Sequence, residues 1–174
     1  SSSVWPRSPI LISDYNQTSL IIILFLTTDC VNISLLFGLN DIVDSRSFVH
    51  CNPLNSIKSN YFDRLKKYEV HMLLGNHCTY YKNTNKINSP ELLLENYSNI
   101  KIYTEPETIF IGGKEFLMMP WINSENKEEC SNLIKKGGEI MCSHMECDGF
   151  EVTPGMHFEG GFSVSDFKNF DRVW

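Results

Sequence analysis

Four apolar segments of this sequence are each followed directly by side chains that can bind a metal ion or move a proton. In open α/β sheets the parallel strands end at a common edge, so residues that follow different strands can meet there. Carboxylate oxygens, a neutral amide oxygen and imidazole nitrogens together suit Mn, Fe or Zn. Two such ions about 3.5–4 Å apart can hold a phosphate and activate water, so the set indicates phosphoester hydrolysis. The candidate residues are Asp14, Asp41 with Asp44, Asn76 with His77, and His144.

The segment 73–83, LLGNHCTYYKN, is the most informative of the four. An apolar strand that ends at Leu74 would place Asn76 and His77 at its carboxyl end, and Gly75 would allow the turn. Asn76 offers an amide oxygen to a cation, and His77 can bind a metal or donate a proton near neutral pH. Gly and Asn are also ordinary turn residues, so a simple strand-end turn is an equal alternative for this segment taken alone.

The composition indicates one globular domain, because 174 residues with 42% hydrophobic and 12% aromatic content can build a core. The formal charge of -6 gives no net attraction to nucleic acid, so DNA binding would need a local basic patch or bridging metal ions. The apolar run 19–26 is far shorter than the roughly 20 residues of a membrane helix and is expected to be a buried strand or helix. We expect a cytoplasmic protein without membrane contact.

Six cysteines lie scattered without a CxxC pair, which predicts reduced thiols rather than disulfides. Cys142, His144 and Cys147 are close enough in sequence to suggest zinc. No second pair at finger spacing completes four ligands, so a zinc knuckle is only a minor alternative.

The elements that must position the candidate residues alternate between strand and helix. This alternation predicts an α/β layered sheet with parallel strands, in a single domain of residues 1–174 with a loose lead-in at 1–9. Gly112-Gly113 is expected to form a two-residue hairpin turn. The predicted strands are 10–13, 33–37, 70–74, 99–103, 108–111, 115–119 and 139–142, and the predicted helices are 55–68, 90–97 and 127–136.

The motifs occur in the order D-x-x, D-x-x-D, GNH and H-x-E, which resembles the calcineurin-like metallophosphoesterases. Within that superfamily the chain resembles the nuclease subunit of phage recombination complexes and the bacterial SbcD nuclease. The segments that carry this closer resemblance are YFDRLKKYEVHMLLGNHCTYYKNT, INSPELLLENY, PWINSEN and SHMECDGFEVTPGM. The resemblance spans nearly the whole chain and implies a layered sheet sandwich flanked by helices.

The resemblance also implies a role for each candidate residue. His77 would be the proton donor near the leaving group, and Asp44 would hydrogen-bond His77 and favour its charged form. For Asp44 a loop cap is the alternative. The expected cofactor is Mn²⁺ in a two-metal site, with Mg²⁺, Fe or Zn as alternatives. The metal ligands would be Asp14 at the first ion, Asp41 bridging both ions, and Asn76 with His144 at the second ion.

Several departures from the family pattern affect metal binding. Asn16 stands where D-x-H would place a histidine, and Cys78 replaces an acidic residue after GNH. Asn40 and Ser143 replace glycines, so each is expected to strain a tight turn. The chain ends at FDRVW, where the family's G-H-x-H motif would begin, so both of its histidines are expected to be missing. The remaining ligands predict at most one weakly bound ion, at the second site.

The function implied by the resemblance is a divalent-metal-dependent DNA phosphodiesterase subunit, an exonuclease or endonuclease. Its partners would be DNA and an SMC-like ATPase subunit, and a homodimer is compatible with it. Tyr80, Tyr81 and Lys82 follow the GNH motif and could contact a sugar-phosphate backbone, although such an aromatic pair more often packs its own loop. The alternatives are a phosphatase of the same fold and a non-catalytic remnant with a structural or partner-binding role. The departures favour the remnant.

Overall fold

The computed structural model describes residues 10–12, 20–26, 33–39, 55–56, 58–149, 151–153 and 156–174. Two sheets with helices on their outer faces account for most of this part of the chain. This is an α/β architecture with mixed sheets, in general agreement with the expected layered fold.

The first sheet has five strands in sequence order, and its last three strands are parallel. The predicted parallel pairing holds for β3, β4 and β5, whereas β2 runs antiparallel to both of its neighbours. The physical reason is connection length, because segments 13–19 and 27–32 are shorter than the dozen or so residues that a parallel crossover needs. The strands are β1 (Ile10–Ile12), β2 (Leu20–Leu26), β3 (Ile33–Leu39), β4 (Glu69–Leu73) and β5 (Ile100–Tyr103).

The second sheet has four strands in the order β11-β8-β7-β6. β7, β8 and β11 are parallel, and β6 pairs with β7 as an antiparallel hairpin. Gly112 and Gly113 form the expected turn of this hairpin with φ values of 57° and 76°, a conformation that a side chain would disfavour. The strands are β6 (Glu107–Ile111), β7 (Lys114–Met119), β8 (Gly138–Ser143) and β11 (Phe170–Val173). A separate ribbon pairs β9 (Glu151–Thr153) with β10 (Met156–His157).

Three helical segments cover the outer faces of the sheets. A π-helical turn, Lys58–Phe62, continues into Asp63–Leu65, and the two together are called α1. α2 is Ser89–Leu94 and α3 is Lys127–Lys136, and a 3₁₀ turn, Val164–Phe167, lies near the end. α3 has the predicted bounds. Its acidic first turn and basic last turn both complement the helix dipole.

The core is divided into three apolar clusters that define the layers. Leu73 and Tyr103 of the first sheet pack against Phe116, Met118 and Ile140 of the second, so this cluster lies between the sheets. A second cluster packs α1 and α2 onto the other face of β4. A third packs α3 and the 3₁₀ turn onto the other face of β7 and β8. The second cluster includes Phe62, Val70, Met72, Leu94 and Tyr97, and the third includes Leu117, Met119, Cys130, Ile134, Met141 and Phe167.

Two predicted helices end earlier than their sequence patterns indicate. The helix predicted to reach residue 68 ends at Leu65, because the Asn99 amide donates to the carbonyl oxygens of Leu65 and Tyr68 at 3.0 and 2.9 Å. The helix predicted for 90–97 ends at Leu94, and Tyr97 turns back to pack on Phe62. Leu92 of α2 is exposed. In the described part of the chain, no helix is long and apolar enough to span a membrane.

His71 is a buried ionisable residue on the face of β4 that meets the second sheet. Its Nδ1 lies 2.7 Å from the Tyr103 hydroxyl oxygen, and the two rings stack. Burial lowers the pKa of His71 below its ordinary value of 6.5, against the opposing effect of the Glu69 carboxylate. Burial also raises the pKa of the Tyr103 hydroxyl. The pair is therefore neutral at physiological pH, with the Tyr103 hydroxyl donating to Nδ1.

We expect the protein to lose stability as the pH falls through about 6.5 and below, in part through His71. In the unfolded chain a histidine takes up a proton near pH 6.5, whereas the folded pKa of His71 is lower. Between these two values the unfolded state binds more protons. The free energy of unfolding therefore decreases as the pH decreases, by up to about 1.4 kcal/mol per pH unit. Urea denaturation at a series of pH values measures this slope. The slope should be smaller for His71→Gln than for the unmodified chain, and it should be unchanged for His157→Gln, at an exposed position. Equal slopes for the unmodified chain and both variants would contradict the expectation.

Candidate functional site

The two sheets meet at the edge where their parallel strands end. The Trp121 amide, which follows β7, donates a 2.8 Å hydrogen bond to the Leu74 carbonyl oxygen, which follows β4. The Leu74 amide in turn donates to the Tyr103 carbonyl oxygen at 3.3 Å, at the end of β5. Because β8 is parallel to β7, the residues after β8 come to the same edge.

Two predicted metal ligands meet at this edge. The Asn76 Oδ1 and His144 Nε2 atoms lie 3.2 Å apart, although the residues are 68 positions apart in sequence. With its hydrogen on Nε2, the His144 ring donates to the Asn76 oxygen. Both side chains are half-buried, so they are held by the protein and are still accessible to a ligand.

The Gly-Asn-His turn has a local structure that presents Asn76 toward the second sheet. The Cys78 amide donates to the Gly75 carbonyl oxygen at 3.2 Å, and the Thr79 hydroxyl donates to the Asn76 carbonyl oxygen at 3.2 Å. His77 is exposed at the tip of this turn. The segment is therefore a strand-end turn, and it also carries the predicted site residues.

Cys78 is buried beneath the turn, with 5% of its surface exposed. Its carbonyl oxygen accepts the Ser89 amide at 3.0 Å, which connects the turn to the start of α2. The residue therefore packs within the loop.

The described part of the site is compatible with one metal ion held by Asn76 and His144. Bonds of about 2.1 Å from one ion to two neighbouring ligands place those ligands about 3.0–3.4 Å apart in octahedral or tetrahedral geometry. The separation of Asn76 Oδ1 and His144 Nε2 falls within this range. Among the described residues, no group of three or more His, Cys, Asp and Glu side chains could hold a metal ion.

Five site positions predicted from the sequence lie outside the described residues. They are Asp14, Asn16, Asn40, Asp41 and Asp44. The strand β1 that precedes Asp14 runs in the same direction as β3, because β2 is antiparallel to both. Because the five positions lie outside the described residues, the first metal site and the Asp44–His77 contact stay predictions.

Ser143 does not strain a turn, contrary to the expectation for a residue that replaces glycine. It is the last residue of β8, where the backbone is extended, and its amide donates to the Trp174 carbonyl oxygen at 2.8 Å. Any residue adopts extended backbone, so no glycine is needed there.

The described cysteines are free thiols, as predicted. Burial raises the pKa of the Cys142 thiol to about 12 and that of the Cys130 thiol to about 11, which keeps both protonated. Cys142 packs between the sheets, whereas Cys147 packs on the outer face of the second sheet. The minor alternative of a zinc knuckle at Cys142, His144 and Cys147 is therefore not supported.

Tyr80 and Tyr81 form an exposed aromatic pair after the GNH turn. Their rings meet edge to face with centroids 4.8 Å apart, and about half of each side chain is exposed. Lys82 is exposed next to them. The arrangement leaves all three available to a ligand, and their contact with DNA stays a prediction.

A network of buried asparagines, which the sequence patterns do not identify as part of the site, holds Trp121 in place. Asn85 donates to the carbonyl oxygens of Trp121 and Thr104 at 3.0 and 2.9 Å, and Asn126 donates to the Trp121 carbonyl oxygen at 3.1 Å. Asn123 donates to the Asn85 side-chain oxygen at 3.0 Å. The only sequence signal is the cluster of amide residues after a strand in PWINSEN.

The Trp121 ring lies beside the predicted ligand His144. The two ring centroids are 6.1 Å apart and the planes are inclined by 55°. The asparagine network fixes the backbone of Trp121. Because the Trp121 ring packs against His144, the network also limits the space available to the His144 imidazole.

No protein-family model matches the chain. The chain is similar to exonuclease subunit 1 of Enterobacteria phage T4, with 33% identity over 106 residues. These residues are 60% of this chain and 31% of the phage protein, so the chain spans less than a third of that relative.

We expect Asn85→Ala to lower the free energy of unfolding by about 2 kcal/mol or more. The change removes the bonds to the Thr104 and Trp121 carbonyl oxygens and leaves the buried Asn123 amide without its partner, and each unsatisfied buried group costs about 1–3 kcal/mol. Urea denaturation measures the loss. Asn83→Ala, at an exposed position in the same loop, is the matched control, and equal stability of the two variants would contradict the role of the network.

Proposed function

We propose that this chain is part of a divalent-metal-dependent DNA phosphodiesterase of the calcineurin-like metallophosphoesterase superfamily. The proposal rests mainly on the 3.2 Å distance between Asn76 Oδ1 and His144 Nε2 at the edge shared by the two sheets. The similarity to a phage protein named as an exonuclease subunit supports a nuclease rather than a phosphatase. The order of the sequence motifs supports the superfamily.

Four side chains are proposed to hold the metal ions. Asn76 and His144 would bind the second ion, and Asp14 and Asp41 would complete the site from the ends of the first-sheet strands. Bound manganese would supply positive charge to the scissile phosphate and an activated water. Asn76 and His144 contribute by holding two ligand atoms on separate packed elements, so that binding requires the His144 hydrogen to move from Nε2 to Nδ1 but little movement of either element.

His77 is proposed to donate a proton to the leaving oxygen. It follows Asn76 directly and is exposed at the tip of the turn, so it can reach a phosphodiester that lies over the Asn76–His144 pair. Asp44 is proposed to hydrogen-bond the other ring nitrogen, which would fix the tautomer and favour the charged, donating form.

The substrate and partners follow from the same proposal. The phage relative is named as a subunit, which supports a second subunit here, and we propose that it is an SMC-like ATPase. The net charge of -6 requires that metal ions or this partner supply much of the attraction to DNA. A homodimer is compatible with the proposal, and the proposed site of action is the cytoplasm of the host cell.

Calorimetric titration with manganese should detect one weak site on the 174-residue chain. Asn76→Ala and His144→Ala should each weaken that binding by about tenfold or more, because loss of a direct ligand costs at least as much as loss of an outer-shell partner. The exposed residues Asn83 and His157 provide matched controls as Asn83→Ala and His157→Ala. Two tight sites, or binding that neither ligand variant weakens, would contradict the assignment.

Manganese-dependent cleavage of an end-labelled linear duplex tests the reaction itself. The assay compares this chain with a longer chain that supplies a Gly-His-x-His segment. In the longer chain His77→Ala should lower the cleavage rate by about 10²–10⁴-fold, the usual contribution of a general acid, while manganese affinity is retained. His157→Ala should not change the rate. An inert duplex together with turnover of a phosphomonoester would favour a phosphatase instead.

A further inference from the structure

A cleft of about 400 Å³ opens beside the Asn76–His144 pair. One wall is the segment 121–124 together with Lys127 of α3, and the other wall is formed by residues 145–146 and 161–162. Trp121 connects the cleft to the pair, because its ring packs beside that of His144. The volume lies within the range of about 300–1,000 Å³ that is usual for small-molecule sites.

Both walls of the cleft are built before any ligand arrives. The Trp121 backbone is held by Leu74 and by the buried side chains of Asn85 and Asn126. On the opposite wall the Phe162 amide donates to the Glu146 carbonyl oxygen at 3.2 Å. A preformed site of this kind loses little conformational freedom on binding, which favours affinity.

Gly161 shows how closely the second wall is packed. A Cβ atom at this position would lie 2.4 Å from the Glu146 carbonyl oxygen, and the φ angle is +74°. Because of this short distance and this positive φ angle, any residue with a Cβ atom at this position would require a shift of the backbone. The width of the cleft therefore depends on glycine at this position.

The lining favours an uncharged, flat and aromatic ligand. Trp121 and Phe162 offer ring surfaces, and Ile122 and Met145 add apolar contacts. The two charged side chains, Lys127 and Glu146, are opposite in sign, so the cleft has no net positive charge that would attract an isolated phosphate. A nucleobase stacks on aromatic side chains, and its adjoining phosphate can contact a lysine outside the stack.

We infer that this cleft receives an unpaired nucleobase of the DNA strand that lies at the Asn76–His144 site, with Trp121 as the stacking surface and Lys127 near the strand's phosphate. This inference rests on the proposed function, which supplies the DNA. The Asn123 side chain is buried and is bonded to Asn85 and to the Glu125 backbone amide, so stacking on Trp121 rather than hydrogen bonding dominates the recognition of a base. The site is therefore tolerant of sequence and selective for an unpaired strand, because a base must leave its duplex to enter.

Fluorescence anisotropy with a labelled thymidine octamer tests the inference on this chain. Trp121→Leu, which keeps an apolar side chain but removes the ring, should weaken octamer binding about tenfold, within the usual contribution of one stacked base. Trp121→Phe should retain most of the affinity. Phe110→Leu is the matched control, because Phe110 is 71% exposed on β6, toward the opposite end of the second sheet. Thermal unfolding confirms that each variant is folded.

The outcomes separate this inference from the proposed function. Equal octamer binding by Trp121→Leu and the unmodified chain would overturn the inference, even if cleavage still depends on His77. Thymidine monophosphate that binds as tightly as the octamer would also overturn it, because the cleft would then serve free nucleotides. If octamer binding depends on Trp121 but no form cleaves DNA, the inference is supported and the phosphodiesterase proposal fails.

Discussion

The hydrogen bond from the Trp121 amide to the Leu74 carbonyl oxygen joins the ends of two sheets whose facing surfaces pack through apolar contacts. Apolar contacts are non-directional, so they specify that the sheets pack but not which residues lie at their shared edge. This one directional contact places the end of β4 beside the end of β7. The approach of Asn76 to His144 depends on it, because each follows a strand at that edge.

Four buried asparagines make this junction rigid. Asn85, Asn88, Asn123 and Asn126 are each less than 10% exposed, and their side chains bond to the backbone or to one another. Buried amides are costly unless they are satisfied, so this network has few alternative arrangements. The ion pair between Lys86 and Glu125 joins the same two loops at the surface. The rigid wall that results borders both the Asn76–His144 pair and the cleft.

Local sequence pattern predicts most of the strands and helices. The elements that differ from the prediction show which information that pattern does not contain. α3 has its predicted bounds because its apolar spacing, terminal charges and following glycine all agree. The direction of β2 depends on how short its connections are, which a run of apolar residues does not reveal. The helix before β4 stops at Leu65 because of a side chain from Asn99, 34 residues away.

The order of residue types along the chain is enough to single out Asn76, His77 and His144 as candidates that follow strand ends, because strand ends, turns and ligand preferences are local properties. Phosphoester chemistry at these residues stays a prediction. Tertiary structure alone brings Asn76 to 3.2 Å from His144, buries Cys78 beneath the turn and places Trp121 against the imidazole. These features depend on how one sheet packs on the other. That packing is set by contacts between residues far apart in sequence, which no local periodicity records.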